Sequence, residues 1–109
     1  MTTTFDDREQ AYERKFAHDM ELEFKILARM HHLLGLWAAE KLEFGATKAE
    51  EYSQALLEEM VGKDSKVSAK EKIQRDFKTA DLEVSDKEID VEMEKLLQVA
   101  REQLLKVSQ

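Results

Sequence analysis

The stretch LEFKILARMHHLLGLWAAEKL, residues 22–42, decides the fold of this 109-residue chain. Its apolar residues recur at helical spacing but cover a wide arc of the helix: Leu22, Phe24, Ile26, Leu27, Met30, Leu33, Leu34, Leu36, Trp37 and Ala38. A helix that is apolar on so many sides is surrounded by other helices. The pattern predicts a helix near residues 20–43 at the centre of an all-α, four-helix bundle.

Start and stop signals downstream predict three further helices, near residues 47–61, 68–80 and 85–106. Each begins at a capping box, in which a hydroxyl caps a backbone N–H and the glutamate three positions later reaches back. The three boxes begin at Thr47, Ser68 and Ser85. Gly45 and Gly62 stand where the preceding helices are expected to end, because glycine adopts the left-handed conformation at little cost. Residues 62–67, between the second and third helices, are expected to form a loop.

Each of these helices carries an apolar row at helical spacing. The second contributes Ala49, Tyr52, Leu56 and Met60; the third contributes Ile73, Phe77 and Ala80; the fourth contributes Ile89, Met93, Leu96, Leu97, Ala100 and Leu104. Val84 and Ile89 flank the last capping box in the positions of a hydrophobic staple. These rows are the expected core.

The composition excludes several classes of function. The chain has no cysteine, so disulfides and zinc–thiolate sites are impossible. A net charge of −7 disfavours nucleic acids and anionic membranes, both of which attract basic surfaces. The longest apolar run, residues 33–39, is too short for a membrane span, and the acidic N-terminus does not resemble a signal peptide. We therefore expect a cytoplasmic protein without direct membrane insertion.

The N-terminal stretch TTTFDDREQAYERKFAHD, residues 2–19, reads as a helix of its own over residues 4–18. Acids follow the potential cap Thr4 and bases lie near the other end, as the helix dipole favours. Asp19 could cap the next helix, which predicts a bend near His18 and Asp19. An unbroken helix over residues 5–43 is one alternative. A partly disordered arm that orders on binding is another, because a helix of about 15 residues is marginal alone in water.

Three aromatic residues give this segment a narrow apolar face. At about 100° per residue, Phe5, Tyr12 and Phe16 fall within about 40° of arc. So sparse a stripe suits an amphipathic helix that lies in a partner's groove with a few aromatic anchors. The same pattern also fits an arm that packs on its own domain, and the residues alone leave both interpretations open.

Residues 5–42, FDDREQAYERKFAHDMELEFKILARMHHLLGLWAAEKL, resemble the zeta subunit family, the ATPase inhibitors of alphaproteobacterial F-type ATP synthases. The most distinctive segments are FDDRE, KFAHD and LLGLWAAEKL, and the similarity continues through VSDKEID, residues 84–90. The chain departs from the family at Met20, where a second acidic residue is common. It also departs near His31 and His32, where basic or amide residues are common.

The resemblance implies an inhibitory arm, residues 1–18, and a helical bundle domain, residues 19–109. The arm would enter a catalytic interface between the alpha and beta subunits, near gamma, and block rotation in the hydrolytic direction. The implied inhibitory residues are Phe5, Asp6, Asp7, Arg8, Glu9, Tyr12, Glu13, Arg14, Lys15 and Phe16. Such a protein is not an enzyme, needs no cofactor, and acts at the cytoplasmic face of the inner membrane through the ATP synthase.

Other candidate sites are weaker. His31 and His32 are adjacent, so on a helix they diverge by about 100° and cannot hold one metal ion together; we expect surface or boundary histidines. A DNA-binding pair formed by the third and fourth helices is disfavoured by the acidic start of the fourth. The remaining alternative is a helical ligand-binding module that binds ATP or ADP in a pocket beside the first helix, without strong inhibitory activity.

Overall fold

The computed structural model describes residues 3–58 and 64–108, and the side chains of residues 19–58 and 64–106. The described residues form four helices: α1 (Thr3–Lys41), α2 (Ala46–Glu58), α3 (Ser65–Thr79) and α4 (Asp86–Ser108). The all-α, four-helix fold predicted from the sequence is confirmed. Among the described residues, no helix combines the length and the apolar character that crossing a membrane requires.

The core lies along α1, as its wide apolar arc predicts. Its fully buried apolar residues belong to one cluster: Ile26, Met30, Leu34, Ala38 and Ala39 of α1, Leu56 of α2, Ala69, Ile73 and Phe77 of α3, and Ile89 and Ala100 of α4. Burial of a Leu, Ile, Phe or Met side chain contributes about 1.5–3 kcal/mol. This cluster therefore holds all four helices together, and α1 is their common neighbour.

Two residues of the predicted core are exposed in the structure, and a third lies outside the described residues. The side chain of Phe24 is 62% exposed, because the other helices cover this side of α1 further along, at His31 and Gly35, and leave it open at Phe24. Ala80 is exposed because it is the C-cap of α3, where the chain turns away from the core. Met60 lies outside the described residues.

The link between α1 and α2 differs from the prediction. The left-handed residue is Glu43, with φ 61°, rather than Gly45. The N–H of Phe44 donates to the carbonyl of Ala39 at 3.0 Å, which is the six-to-one hydrogen bond of a Schellman motif. Gly45 instead opens α2, since its carbonyl accepts the N–H of Ala49 at 2.8 Å. Gly62, the second predicted helix stop, lies outside the described residues.

Of the three predicted capping boxes, only the last stands at a helix start. The N–H of Glu88 donates to Ser85 Oγ at 3.1 Å, and α4 begins at the next residue, Asp86. Helix α3 begins three residues before Ser68, because the carboxylate of Asp64 accepts the N–H groups of Lys66 and Val67. Thr47 likewise lies inside α2.

Gly35 allows α1 and α2 to approach closely. A Cβ at this position would lie 2.7 Å from Ser53 Cα, a backbone atom that cannot turn aside. We expect Gly35→Ala to lower the free energy of unfolding by about 2 kcal/mol, because overpacking outweighs the better helix propensity of alanine. Urea unfolding followed by circular dichroism measures the change.

Gly45→Ala is the matched control for this substitution. A Cβ added at Gly45 meets nothing within 4 Å, so the variant loses only a favourable residue at the start of α2, at a cost below about 1 kcal/mol. Equal unfolding midpoints for the two variants would contradict the close approach of α1 and α2.

Candidate partner-binding site

The residues implied in inhibition lie in the N-terminal part of α1. They are Phe5, Asp6, Asp7, Arg8, Glu9, Tyr12, Glu13, Arg14, Lys15 and Phe16. Helix α1 continues through His18 and Asp19, so Asp19 does not cap a second helix, and the structure has the unbroken alternative. The side chains of the ten residues lie outside the described ones. Their role, and the division of the chain at residue 18, stay predictions.

Helix α1 is longer than the bundle that it joins. Its 39 residues span about 58 Å at 1.5 Å per residue, whereas the 23 residues of α4 span about 35 Å. Among the described side chains of α1, Leu22 is the first to pack against the core. The molecule measures 69 × 27 × 23 Å, and its long dimension reflects α1. The N-terminal part of this helix therefore extends beyond the core.

Polar contacts join α4 to the part of α1 that leaves the core. Arg29 Nε donates to Gln103 Oε1 at 2.8 Å, and Arg101 lies 3.6 Å from the carboxylate of Glu23. Both contacts are exposed, so each contributes little to stability. They nevertheless lie where α1 leaves the bundle, and they restrain its direction there.

A pair of histidines ties the middle of α1 to two other helices. His31 is fully buried, and its Nδ1 and Nε2 atoms lie 2.7 and 3.2 Å from the carbonyl oxygens of Leu27 and Ser65. His32 is half-buried, and its carbonyl accepts the hydroxyl of buried Ser53 at 3.0 Å. The prediction of a surface or boundary position holds for His32 and is wrong for His31, because the start of α3 covers that ring.

An exposed apolar patch lies where α1 leaves the core. Met20 is 60% exposed and Phe24 is 62% exposed, and together with half-buried Leu27 they line a shallow apolar recess. We call Met20, Phe24 and Leu27 the shoulder patch. Sequence reasoning missed it by assigning Phe24 to the core. Direction around the helix gave no warning, because Phe24 lies only about 20° from fully buried His31; the two differ in their position along α1.

A second polar cluster links α2 to α3. The Tyr52 hydroxyl donates to Asp76 Oδ2 at 2.7 Å, and Lys72 Nζ lies 3.2 Å from the same oxygen. Burial, followed by the hydrogen bond to Asp76 and the charge of that carboxylate, raises the pKa of Tyr52 above its ordinary value of 10.0. The phenol therefore stays protonated at physiological pH and keeps donating to Asp76.

This cluster forms one wall of an open pocket of about 480 Å³ near the end of α1. The rings of Phe44 and Tyr52 meet edge to face with their centroids 5.8 Å apart. Lys48 Nζ lies 4.2 Å from the centre of the Phe44 ring, and Lys72 Nζ lies 5.0 Å from that of Tyr52. The pocket combines aromatic surface with two lysines and two carboxylates, those of Glu51 and Asp76, and Lys72 is paired with Asp76, so Lys48 is the cation that suits a flat anionic molecule.

These features define a class of small all-α protein: a four-helix bundle whose central helix extends well beyond the core. The family model for ATPase inhibitor subunit zeta matches residues 1–103. The chain therefore belongs to the ATPase inhibitor subunit zeta family, as the sequence resemblance implied, and its general role is that of an ATPase inhibitor subunit. A search of curated proteins and a search of solved structures each found no match.

Proposed function

We propose that the protein inhibits ATP hydrolysis by an F-type ATP synthase. Its N-terminal helix inserts at a catalytic alpha/beta interface, near gamma, and obstructs reverse rotation sterically. The observation that carries this proposal is the continuity of α1, one helix from Thr3 to Lys41, in which the described side chains that pack against the core begin at Leu22. Membership of an ATPase inhibitor family supports the inhibitory role.

In this proposal the arm, residues 1–18, makes the inhibitory contact and the bundle, residues 19–109, acts as a stop outside the ATPase head. Burial of Phe5, Tyr12 and Phe16 supplies most of the affinity, as aromatic anchors do in helix-in-groove complexes. The charged residues set orientation and register by pairing across the interface: Asp6, Asp7, Arg8, Glu9, Glu13, Arg14 and Lys15. The protein performs no chemistry of its own.

Continuity with the bundle also favours a preformed arm. An isolated helix of about 15 residues is marginal in water because its first turn is costly to nucleate. Residues 3–18 need no new nucleus, since they extend a helix that the core already stabilises from Leu22 onward. Less ordering entropy is then lost on binding, and a greater share of the aromatic burial appears as affinity.

The test compares ATP hydrolysis by the cognate enzyme in the presence of the full chain and of a chain without residues 1–18. We expect inhibition by the full chain alone. The buried residues begin at Ile26, so the deletion leaves the described core complete, which circular dichroism checks. Equal inhibition by both chains would refute the role of the arm.

Binding to the synthase places the protein at the cytoplasmic face of the inner membrane.

A second candidate function is nucleotide binding, and the pocket beside Phe44 and Tyr52 favours it. An adenine ring could lie on the aromatic surface while Lys48 faces the phosphates and Lys72 keeps its ion pair with Asp76. We expect ATP and ADP at millimolar concentration to shift the backbone amide signals of the residues around this pocket. Lys48→Gln is expected to weaken the effect, and Lys87→Gln on α4 serves as the charge-matched control. Unchanged amide signals at millimolar nucleotide would exclude this function.

A further inference from the structure

The shoulder patch stands one to three helical turns beyond Phe16 on the same uninterrupted helix. Met20 follows Phe16 by four residues, and Phe24 follows Met20 by four, so each step advances about 6 Å along the axis and about 40° around it. Leu27 lies between Met20 and Phe16 in direction, at about 20° from each. The row formed by Tyr12 and Phe16 at four-residue spacing therefore continues through Met20 to Phe24, and it turns about 80° around the helix between Phe16 and Phe24.

The size of the patch argues against an interface of its own. A stable protein–protein interface buries about 800 Å² on each partner, which requires roughly 20–30 residues a side. Two exposed side chains and one half-buried neighbour supply only a small part of that area. The patch can contribute to binding only as the margin of a larger contact, and the arm provides the adjoining one.

We propose that the shoulder patch is a second contact with the ATPase head, continuous with the contact made by the arm. This inference rests on the proposed function. It assigns Met20, Phe24 and Leu27 to the part of the interface that seats the bundle against the outside of the head. The arm enters the groove, and the patch closes against the rim of that groove.

The surroundings of the patch indicate the chemistry of the surface it meets. Asp19 and Glu23 line the apolar recess, and Glu23 also faces Arg101 at 3.6 Å. An apolar area with an acidic border is complemented by an apolar surface with basic or amide groups around it. A second acidic surface, such as another copy of this chain with its charge of −7, fits less well.

The experiment uses the full chain carrying Met20→Gln and Phe24→Gln together. It measures the concentration that gives half-maximal inhibition of ATP hydrolysis by the cognate enzyme stripped of its own inhibitor. We expect this concentration to rise between about tenfold and a hundredfold, because the variant loses the apolar contacts of both side chains with the ATPase head. Both residues are exposed in the free protein, so thermal unfolding is expected to be unchanged.

Val91→Gln is the matched control. Val91 is 59% exposed and lies beside Trp37 and Lys41, near the opposite end of the part of α1 that joins the core. We expect it to alter half-maximal inhibition by less than about threefold, as surface changes outside an interface do. A Met20/Phe24 variant that matches Val91→Gln would overturn the shoulder contact.

A variant with Phe5, Tyr12 and Phe16 all changed to serine separates this inference from the proposed function. Loss of inhibition in that variant, with full inhibition by the Met20/Phe24 variant, would leave the arm's role intact and refute the patch alone. Full inhibition by the arm variant would refute the proposed function. The other candidate partner for the patch is a second copy of this chain, and sedimentation velocity tests for it. A wild-type dimer that the Met20/Phe24 variant cannot form would overturn the inference.

Discussion

Replacing Phe5, Tyr12 and Phe16 together with serine is expected to raise the concentration for half-maximal inhibition of ATP hydrolysis at least about a hundredfold. Buried aromatic anchors in helix-in-groove interfaces each contribute about 2 kcal/mol or more, and each 1.4 kcal/mol changes affinity tenfold. The effects are not additive, so a hundredfold is the lower bound. Titration of the inhibitor against ATP hydrolysis by the cognate enzyme measures it.

The matched control changes two residues of the same segment on another side of the helix. Thr4→Ser and Ala11→Ser lie at least about 100° from the centre of the aromatic stripe and from Phe24, and are expected to change inhibition less than about threefold.

The same triple variant also tests the alternative that the arm packs on its own domain. If the free protein exposes the stripe, the unfolding free energy changes by less than about 1 kcal/mol. A loss of several kcal/mol, together with strong protection of residues 5–16 from deuterium exchange, would show the rings enclosed by this chain's own core.

The second large effect is expected for Phe77→Ala, which should lower the free energy of unfolding by about 3–5 kcal/mol. Phe77 is 2% exposed, and its ring meets that of Trp37 edge to face at 5.9 Å between centroids. The substitution removes this contact and leaves a cavity between α1 and α3. Domains of this size have a total stability of about 5–15 kcal/mol, so urea unfolding should show a much lower midpoint.

Phe24→Ala is the control with the same chemical change. Its side chain is 62% exposed, so we expect a loss below about 0.5 kcal/mol. Similar losses for the two variants would mean that Phe24 is covered in solution, which would contradict the shoulder patch as well.

Much of the fold follows from local patterns in the sequence. The number and type of the helices depend on apolar spacing and helix-favouring composition, which act within a few turns. The capping box at Ser85 predicts the start of α4 correctly, because the Ser85 hydroxyl accepts the N–H of Glu88 in the first turn. The starts of α2 and α3 were misplaced because Gly45 and Asp64 cap them, ahead of the hydroxyl residues Thr47 and Ser68.

The candidate site also has some features that follow from the sequence and others that only the structure shows. The aromatic spacing of Phe5, Tyr12 and Phe16, and the family resemblance of the segment around them, are properties of the sequence. The shoulder patch is not, because Phe24 lies on the same side of α1 as buried His31, and only the packed structure shows how far along α1 that side is covered. The pocket beside Phe44 and Lys48 likewise could not be predicted, because it depends on the contact between Tyr52 of α2 and Asp76 of α3.

The sequence by itself determined that this is an all-α, four-helix protein of the zeta inhibitor family with a distinct aromatic N-terminal segment. Only the tertiary structure decided that Phe24 is exposed, that His31 is buried and that Gly35 lies against Ser53. Helical periodicity is a local property, whereas the burial of a given side depends on which distant helix packs there. A side chain's direction can be read along the chain, but its neighbours exist only after the helices have packed.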